Sequence, residues 1–94
     1  MTYKLVFKVE AEKEWRKLDS TIRSQFKKKL IERLENPHVP TAKLSSMQNC
    51  YKIKLRSAGY RLVYQVRDLE VVISVVAVGK RERNQVYKIA AKRV

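Results

Sequence analysis

Hydrophobic and polar residues alternate at the start of the chain. Tyr3, Leu5, Phe7 and Val9 fall on one side, Lys4 and Lys8 on the other. That period of two predicts a half-buried strand over residues 3 to 9. The period then changes. Ala11, Trp15 and Leu18 recur at helical spacing, which predicts a short helix over residues 10 to 17. Asp19 or Ser20 is placed to cap a second helix. In it Ile22, Phe26, Leu30 and Leu34 repeat every fourth residue with Ile31 beside them, and Arg23, Lys27, Lys28, Lys29 and Arg33 fill the remaining positions. Asn36-Pro37 stops that helix.

A loop holding both prolines, residues 36 to 48, leads to a second alternating stretch. Tyr51, Ile53 and Leu55 share one face, while Lys52, Lys54 and Arg56 share the other. Ser57-Ala58-Gly59 turns the chain, residues 60 to 67 return, and Asp68-Leu69-Glu70 turns it again. VVISVVAV, residues 71 to 78, is apolar at almost every position, as in a strand central to a sheet or covered on both faces. Gly79 is expected to end it. Residues 80 to 83 read as a basic loop or helix start, and residues 84 to 92 as a closing helix. The order β, α, α, β, β, β, α is that of an α+β domain. Its three later strands form an antiparallel meander, and its first strand pairs with one of them. The helical hairpin lies on one face, and the other face stays open as a shallow groove. If Ile53 and Leu55 meet the helices, Lys52, Lys54 and Arg56 meet the groove. At 94 residues the chain is expected to form one domain, residues 1–94, with one modest core.

Charge changes this picture most. The chain has 22 Lys and Arg against 9 Asp and Glu, a net +13, a balance that favours a polyanionic or acidic partner. Six of the nine acids lie in the first 35 residues. Between Asn36 and Arg67 there are six cations and no acid, and after Glu70 six cations and only Glu82. The predicted sheet is therefore nearly pure cation. The N-terminus lacks the apolar core of a signal peptide, and the longest apolar run is too short to span a bilayer as a helix. A cytoplasmic protein with no membrane partner is expected. Cys50 is the single cysteine, read as a buried or incidental thiol, in keeping with a reducing compartment.

Few kinds of chemistry remain. The sole histidine, His38, sits in a proline-bounded loop and reads as a loop residue. No clustered Cys, His or carboxylates have metal-ligand spacing, so no metal or other cofactor is expected. Two glycines make no phosphate loop, and no Ser-His-Asp or Cys-His set is present. Lys, Arg and Tyr are left. Arg offers planar paired donors to phosphate oxygens, a Lys beside like charges is pushed towards its neutral form, and Tyr can stack on a base. Each signal is weak alone. Alternating lysines on a strand are more often solvated surface than a nucleic-acid patch or parts of an active site, and the residues by themselves support a basic, nucleic-acid-facing α+β domain and no more.

CYKIKLRSAGYRLVYQV (residues 50 to 66), the valine-rich strand and GKRERNQVY (79 to 87), with AEKEWRKL (11 to 18) before them, resemble the RelE family of bacterial toxins. The likeness spans essentially the whole chain. It implies a compact RelE-like fold similar to microbial ribonucleases, and a metal-independent endoribonuclease that cuts mRNA in the ribosomal A site. It implies a RelB-like antitoxin, acidic in its toxin-binding segment, and a complex of the two on operator DNA that represses the operon. Matched motif by motif, the active residues would be Lys52, Lys54, Arg61, Arg81 and Tyr87. Lys52 and Lys54 would favour deprotonation of the 2′-OH, and Arg61 would hold the scissile phosphate. Arg81 would stabilise the leaving group or help protonate it, and Tyr87 would stack on the mRNA base. Lys80, Arg83, Arg56 and Lys43 would be auxiliary contacts to mRNA or 16S ribosomal RNA of the 70S ribosome. KLSSM carries Ser45 and Ser46 where such toxins often have Arg-Gly, which implies one RNA contact fewer. Two other readings are a ParE-like toxin directed at DNA gyrase and a plain RNA-binding module.

Overall fold

The computed structural model describes residues 2–82 and 84–94. Its elements are β1 (Lys4–Phe7), α1 (Val9–Arg16), α2 (Ser20–Glu35), a 3-10 turn (Pro40–Ala42), β2 (Cys50–Leu55), β3 (Tyr60–Arg67), β4 (Val72–Lys80) and α3 (Gln85–Arg93). This is the expected order. The four strands lie β1-β4-β3-β2. β2, β3 and β4 form the antiparallel meander, and β1 joins β4 in parallel, Leu5 opposite Ile73. The apolar β4 is thus central, as its composition predicted. None of the described helices is long and apolar enough to cross a membrane.

The helical hairpin closes one face. Phe26 and Leu30 of α2 and Ala11 of α1 pack with Ile53, Leu62, Tyr64, Ile73 and Val75. Trp15 links α1 to this core, its ring 5.2 Å from Phe7 and 6.3 Å from Phe26. Three details depart from the sequence pattern. Val9 opens α1 and is 70% exposed, because the chain leaves the sheet at Phe7. Ile31 is also exposed, since the buried stripe of α2 is narrower than its apolar composition. Asp19 occupies the N-cap position of α2 but its side chain makes no capping bond.

The second face is less open than expected. α3 covers part of it with a small core of Met47, Cys50, Val63, Val76, Ala77, Val86 and Ala90. Two neighbours in sequence, Val76 and Ala77, both reach it. The cause is a bulge: Val63 pairs with Ala77, but Tyr64 pairs with Val75, so Val76 is the extra residue. A bulge reverses which residues face which side beyond it. Val78 therefore meets the helical hairpin, while Gly79 turns to α3, where a Cβ would lie 3.4 Å from Val86 Cγ2. Gly79 does not end β4, which runs to Lys80; its place is a close approach of helix to strand. The polar groups near the bulge are matched from the helices. Arg93 donates to the Val76 carbonyl at 3.0 Å and to both oxygens of Glu14 at 2.9 and 3.1 Å. Glu14 accepts the Val78 N–H at 3.2 Å. α3 is pinned to α1 through this pair.

Candidate active site

α3 leaves bare the end of the sheet next to the β2–β3 turn. β2 keeps strict alternation there: Ile53 and Leu55 are buried on the helical-hairpin side, and Lys52 and Lys54 stand half-buried on the other. Lys54 is directly opposite Arg61 on β3, and Arg61 is opposite Gly79 on β4. A lysine and an arginine thus sit side by side with no side chain beyond them. The β2–β3 turn brings in a third cation. Gly59 adopts φ 73°, the left-handed region that glycine enters without strain. Its carbonyl accepts the backbone N–H of Arg81 at 2.7 Å. Arg81 is thereby hung over the hairpin end. Lys54, Arg56, Tyr60, Arg61 and Arg81 line one hollow of about 280 Å³.

Electrostatics follow from that crowding. The Lys54 ammonium is pushed below the ordinary lysine value, first by Lys52, then by desolvation and by Arg61, Arg56 and Arg81. Like charges disfavour the charged form. Among the described residues none of these cations has a carboxylate partner.

Tyr87 enters from α3. The Arg61 guanidinium carbon lies 5.0 Å from the centre of its ring, a cation–π arrangement. Arg61 Nη1 also donates to Asn84 Oδ1 at 2.7 Å. Two atoms in this group are buried with no protein partner, Arg61 Nε and the Tyr87 hydroxyl. Burial raises the Tyr87 hydroxyl above its ordinary pKa, and Arg61 opposes that in part.

The five residues expected to be catalytic are therefore not equally close. Lys54, Arg61 and Arg81 share the hollow, Tyr87 reaches it through Arg61, and Lys52 stands behind Lys54 on the same strand face. Of the expected RNA contacts, Arg56 lines the hollow and Lys80, exposed at the end of β4, lines the groove next to it along α3. Lys43 lies apart, bridged to Tyr51 on the outer side of β2. Arg83 lies outside the described residues.

Three residues act otherwise than the sequence suggested. His38 is tied into a network, Nδ1 2.8 Å from the Tyr51 hydroxyl and Nε2 2.8 Å from Asp68 Oδ1. Arg33, placed on the solvated side of α2, instead donates to the Tyr64 hydroxyl at 2.8 Å. Asn84 read only as the start of a helix, and its contact with Arg61 had no sequence signal beyond a polar residue in a basic loop. Cys50 is fully buried, and desolvation raises its thiol, as an inert core cysteine requires.

The model of the family described as ParE toxin of type II toxin-antitoxin system, parDE, matches residues 5–85. The mRNA interferase toxin RelE of Escherichia coli K12 is 61% identical over 94 residues, 100% of this chain and 99% of that one. A solved structure of a free E. coli RelE toxin mutant superposes with TM-score 0.92 at 58% identity, covering 100% of this chain and 99% of the other. The toxin in the intact E. coli RelBE toxin-antitoxin complex is 62% identical, with TM-score 0.83 over 86% of this chain and 99% of that one. Likeness along the entire length runs to RelE, and the chain belongs to the RelE toxin family of type II toxin-antitoxin systems.

Proposed function

We propose that this protein is a ribosome-dependent mRNA endonuclease toxin that inhibits translation by cutting mRNA in the A site. The observation that carries the reading is the carboxylate-free hollow in which Lys54, Arg61 and Arg81 converge. RNA cleavage without a metal needs the 2′-OH to lose its proton, the phosphorane dianion to be stabilised and the 5′-oxygen to leave. Lys54, eased towards its neutral form by Lys52, takes the 2′-OH proton. The 2′-oxygen bonds to phosphorus, and the P–O5′ bond breaks. The products are a 2′,3′-cyclic phosphate and a 5′-hydroxyl, whose proton comes from Arg81 or water. Arg61 spans the phosphate oxygens as negative charge grows, the kind of preorganised donor that dominates such catalysis. Arginine, with a pKa above about 12, is a poor acid. The site is therefore strong in electrostatics and weak in proton transfer, and it relies on the ribosome to align the substrate. Tyr87 stacks on the mRNA base. Arg56, Lys80, Arg83 and Lys43 are auxiliary RNA contacts.

A RelB-like antitoxin, acidic where it touches this basic domain, neutralises the toxin, and the complex binds operator DNA. The solved RelBE assembly of a 62% identical toxin supports that partner. A gyrase-directed role gives the hollow no task, and the relatives identical at 61% over their full length are named mRNA interferases.

The test is incubation with programmed ribosomes and end-labelled mRNA, with naked RNA in parallel. Cuts within the A-site codon, ending in 2′,3′-cyclic phosphate and 5′-hydroxyl, are expected. RNA bound without scission, or cuts leaving a 5′-phosphate, would overturn the reading.

A further inference from the structure

Asn84 occupies the N-cap position of α3 with φ 59° and ψ 25°, and its side chain makes no capping bond. Asparagine is among the best N-cap residues because its side-chain oxygen accepts a free N–H of the first turn. That use requires an extended backbone at the cap. Asn84 is left-handed instead, a conformation asparagine tolerates better than most residues, and its Oδ1 accepts Arg61 Nη1 at 2.7 Å. The helix forgoes a cap, and an arginine on β3 gains an acceptor.

What Arg61 gains is orientation without neutralisation. A guanidinium on an exposed strand end has several rotamers to choose from, and fixing one in advance removes that cost from the reaction. Asn84 holds Nη1, and the Tyr87 ring lies against the guanidinium carbon at 5.0 Å. Both holders are uncharged. A carboxylate would fix Arg61 equally well but cancel the charge that a phosphate needs. Opposite Arg61, Gly79 leaves the path to α3 clear.

With Arg61 read as the phosphate-holding group of the proposed nuclease, we propose that Asn84 is a positioning residue that presets the Arg61 guanidinium through a neutral hydrogen bond from the cap of α3. It touches no reacting atom and acts only through Arg61.

The decisive variant is Asn84→Gly, which keeps the left-handed backbone free of strain and removes the side chain whose Oδ1 holds Arg61. Its folding midpoint should match wild type. Cutting on saturating ribosomes should slow by about tenfold, below the roughly 10²-fold that a misplacement of about 1 Å can cost, while the ribosome concentration for half-maximal cutting stays unchanged. In an Arg61→Ala background the same substitution should cost nothing more, because paired residues are not additive. Cutting by Asn84→Gly at the wild-type rate, or an undiminished loss in the Arg61→Ala background, overturns the proposal. A second readout needs no activity. The Arg61 Nη protons should be separately resolved in the nitrogen-15 spectrum of the wild type and merge in Asn84→Gly. If wild type fails to cut mRNA, the nuclease reading falls and this spectrum decides the positioning alone: resolved signals in the variant, or merged ones in the wild type, overturn it.

Discussion

Two of the described arginines lie against tyrosine rings, at opposite ends of the β2–β3 hairpin. Arg33 sits 5.6 Å from the centre of Tyr64, and Arg61 sits 5.0 Å from the centre of Tyr87. Their surroundings differ throughout. Around Arg33 no described buried side-chain atom lacks a partner. Arg33 donates to the Tyr64 hydroxyl and, at 3.3 Å, to the Lys52 carbonyl. Tyr64 donates to the Pro37 carbonyl at 2.8 Å and stacks on Tyr51. Tyr51 meets His38, His38 meets Asp68, and Asp68 accepts from Tyr3 at 2.6 Å. A carboxylate closes the chain of contacts. Around Arg61, among the described residues, no carboxylate stands and two buried atoms go unanswered. Buried polar groups without partners cost stability. A fold bears that cost where something outside the chain completes the site. One cluster fastens the loop after α2 to the sheet; the other is arranged to receive an anion.

The sharpest way to break this contrast is to remove each arginine in turn. Arg61→Ala should lower ribosome-dependent cutting by about 10²–10³, as loss of one preorganised donor does elsewhere, and leave the melting temperature close to wild type. Arg33→Ala should do the reverse, with a lower melting temperature and unchanged cutting per folded molecule. Single-turnover cleavage and thermal melts on both variants check it. An Arg33→Ala protein that folds as well as wild type, or an Arg61→Ala protein that cuts normally, ends the distinction.

The tyrosines give the next largest effect. Tyr64 is fully buried, and Tyr64→Phe leaves the Pro37 carbonyl and one Arg33 donor unpaired, at about 1–3 kcal/mol. Tyr87→Phe removes a hydroxyl that already lacks a partner, so chemical denaturation should show it as stable as wild type or more so. Cutting by Tyr87→Phe should persist, because stacking needs only the ring.

Much of this was legible beforehand, for reasons that mark where legibility ends. Alternation placed Lys52 and Lys54 on one face because β2 is regular along its length. The apolar run of β4 announced a central strand. The bulge at Val76 left no trace, since in a run apolar at almost every position a change of side leaves no change of pattern. Gly79 and the true coverage of the second face were lost with it. The RelE-like motifs named Arg61, Arg81 and Tyr87 as partners, but only tertiary structure shows that Arg81 hangs from the Gly59 carbonyl and that Asn84 holds Arg61. The Arg33 cluster was missed because its members, from Tyr3 to Asp68, are scattered along the chain and each is unremarkable alone.

A smaller effect separates Lys52 from Lys54. Lys54 lies below the ordinary lysine value chiefly because of Lys52. As the base it must be neutral, so cutting should rise with pH through its pKa. Lys52→Ala removes the leading cause and raises that pKa, so the rising limb of the rate–pH profile should move to higher pH. Arg33→Ala adds or removes no charge that acts on Lys54 in this way and should leave the limb in place. A limb unmoved by Lys52→Ala assigns the base elsewhere.

The smallest effect belongs to the answered cluster. Asp68 is held below the ordinary carboxylate value of 3.8, first by the Tyr3 hydroxyl and then by His38. A carboxyl whose pKa is lower in the folded state stabilises the fold above its unfolded pKa, and that contribution is lost as pH falls through the folded value. Asp68→Asn should therefore melt slightly below wild type at neutral pH, and the gap should close as both are acidified from above 3.8 to below it. Asp68 is at the surface, where solvent weakens such contacts, so the gap is smaller than that of Tyr64→Phe. Cutting should be indifferent to Asp68→Asn. A gap that stays constant with pH would mean that Asp68 serves through its shape and not its charge. The two arginine–tyrosine pairs would then differ in their hydrogen-bond partners alone and not in how each cluster handles charge.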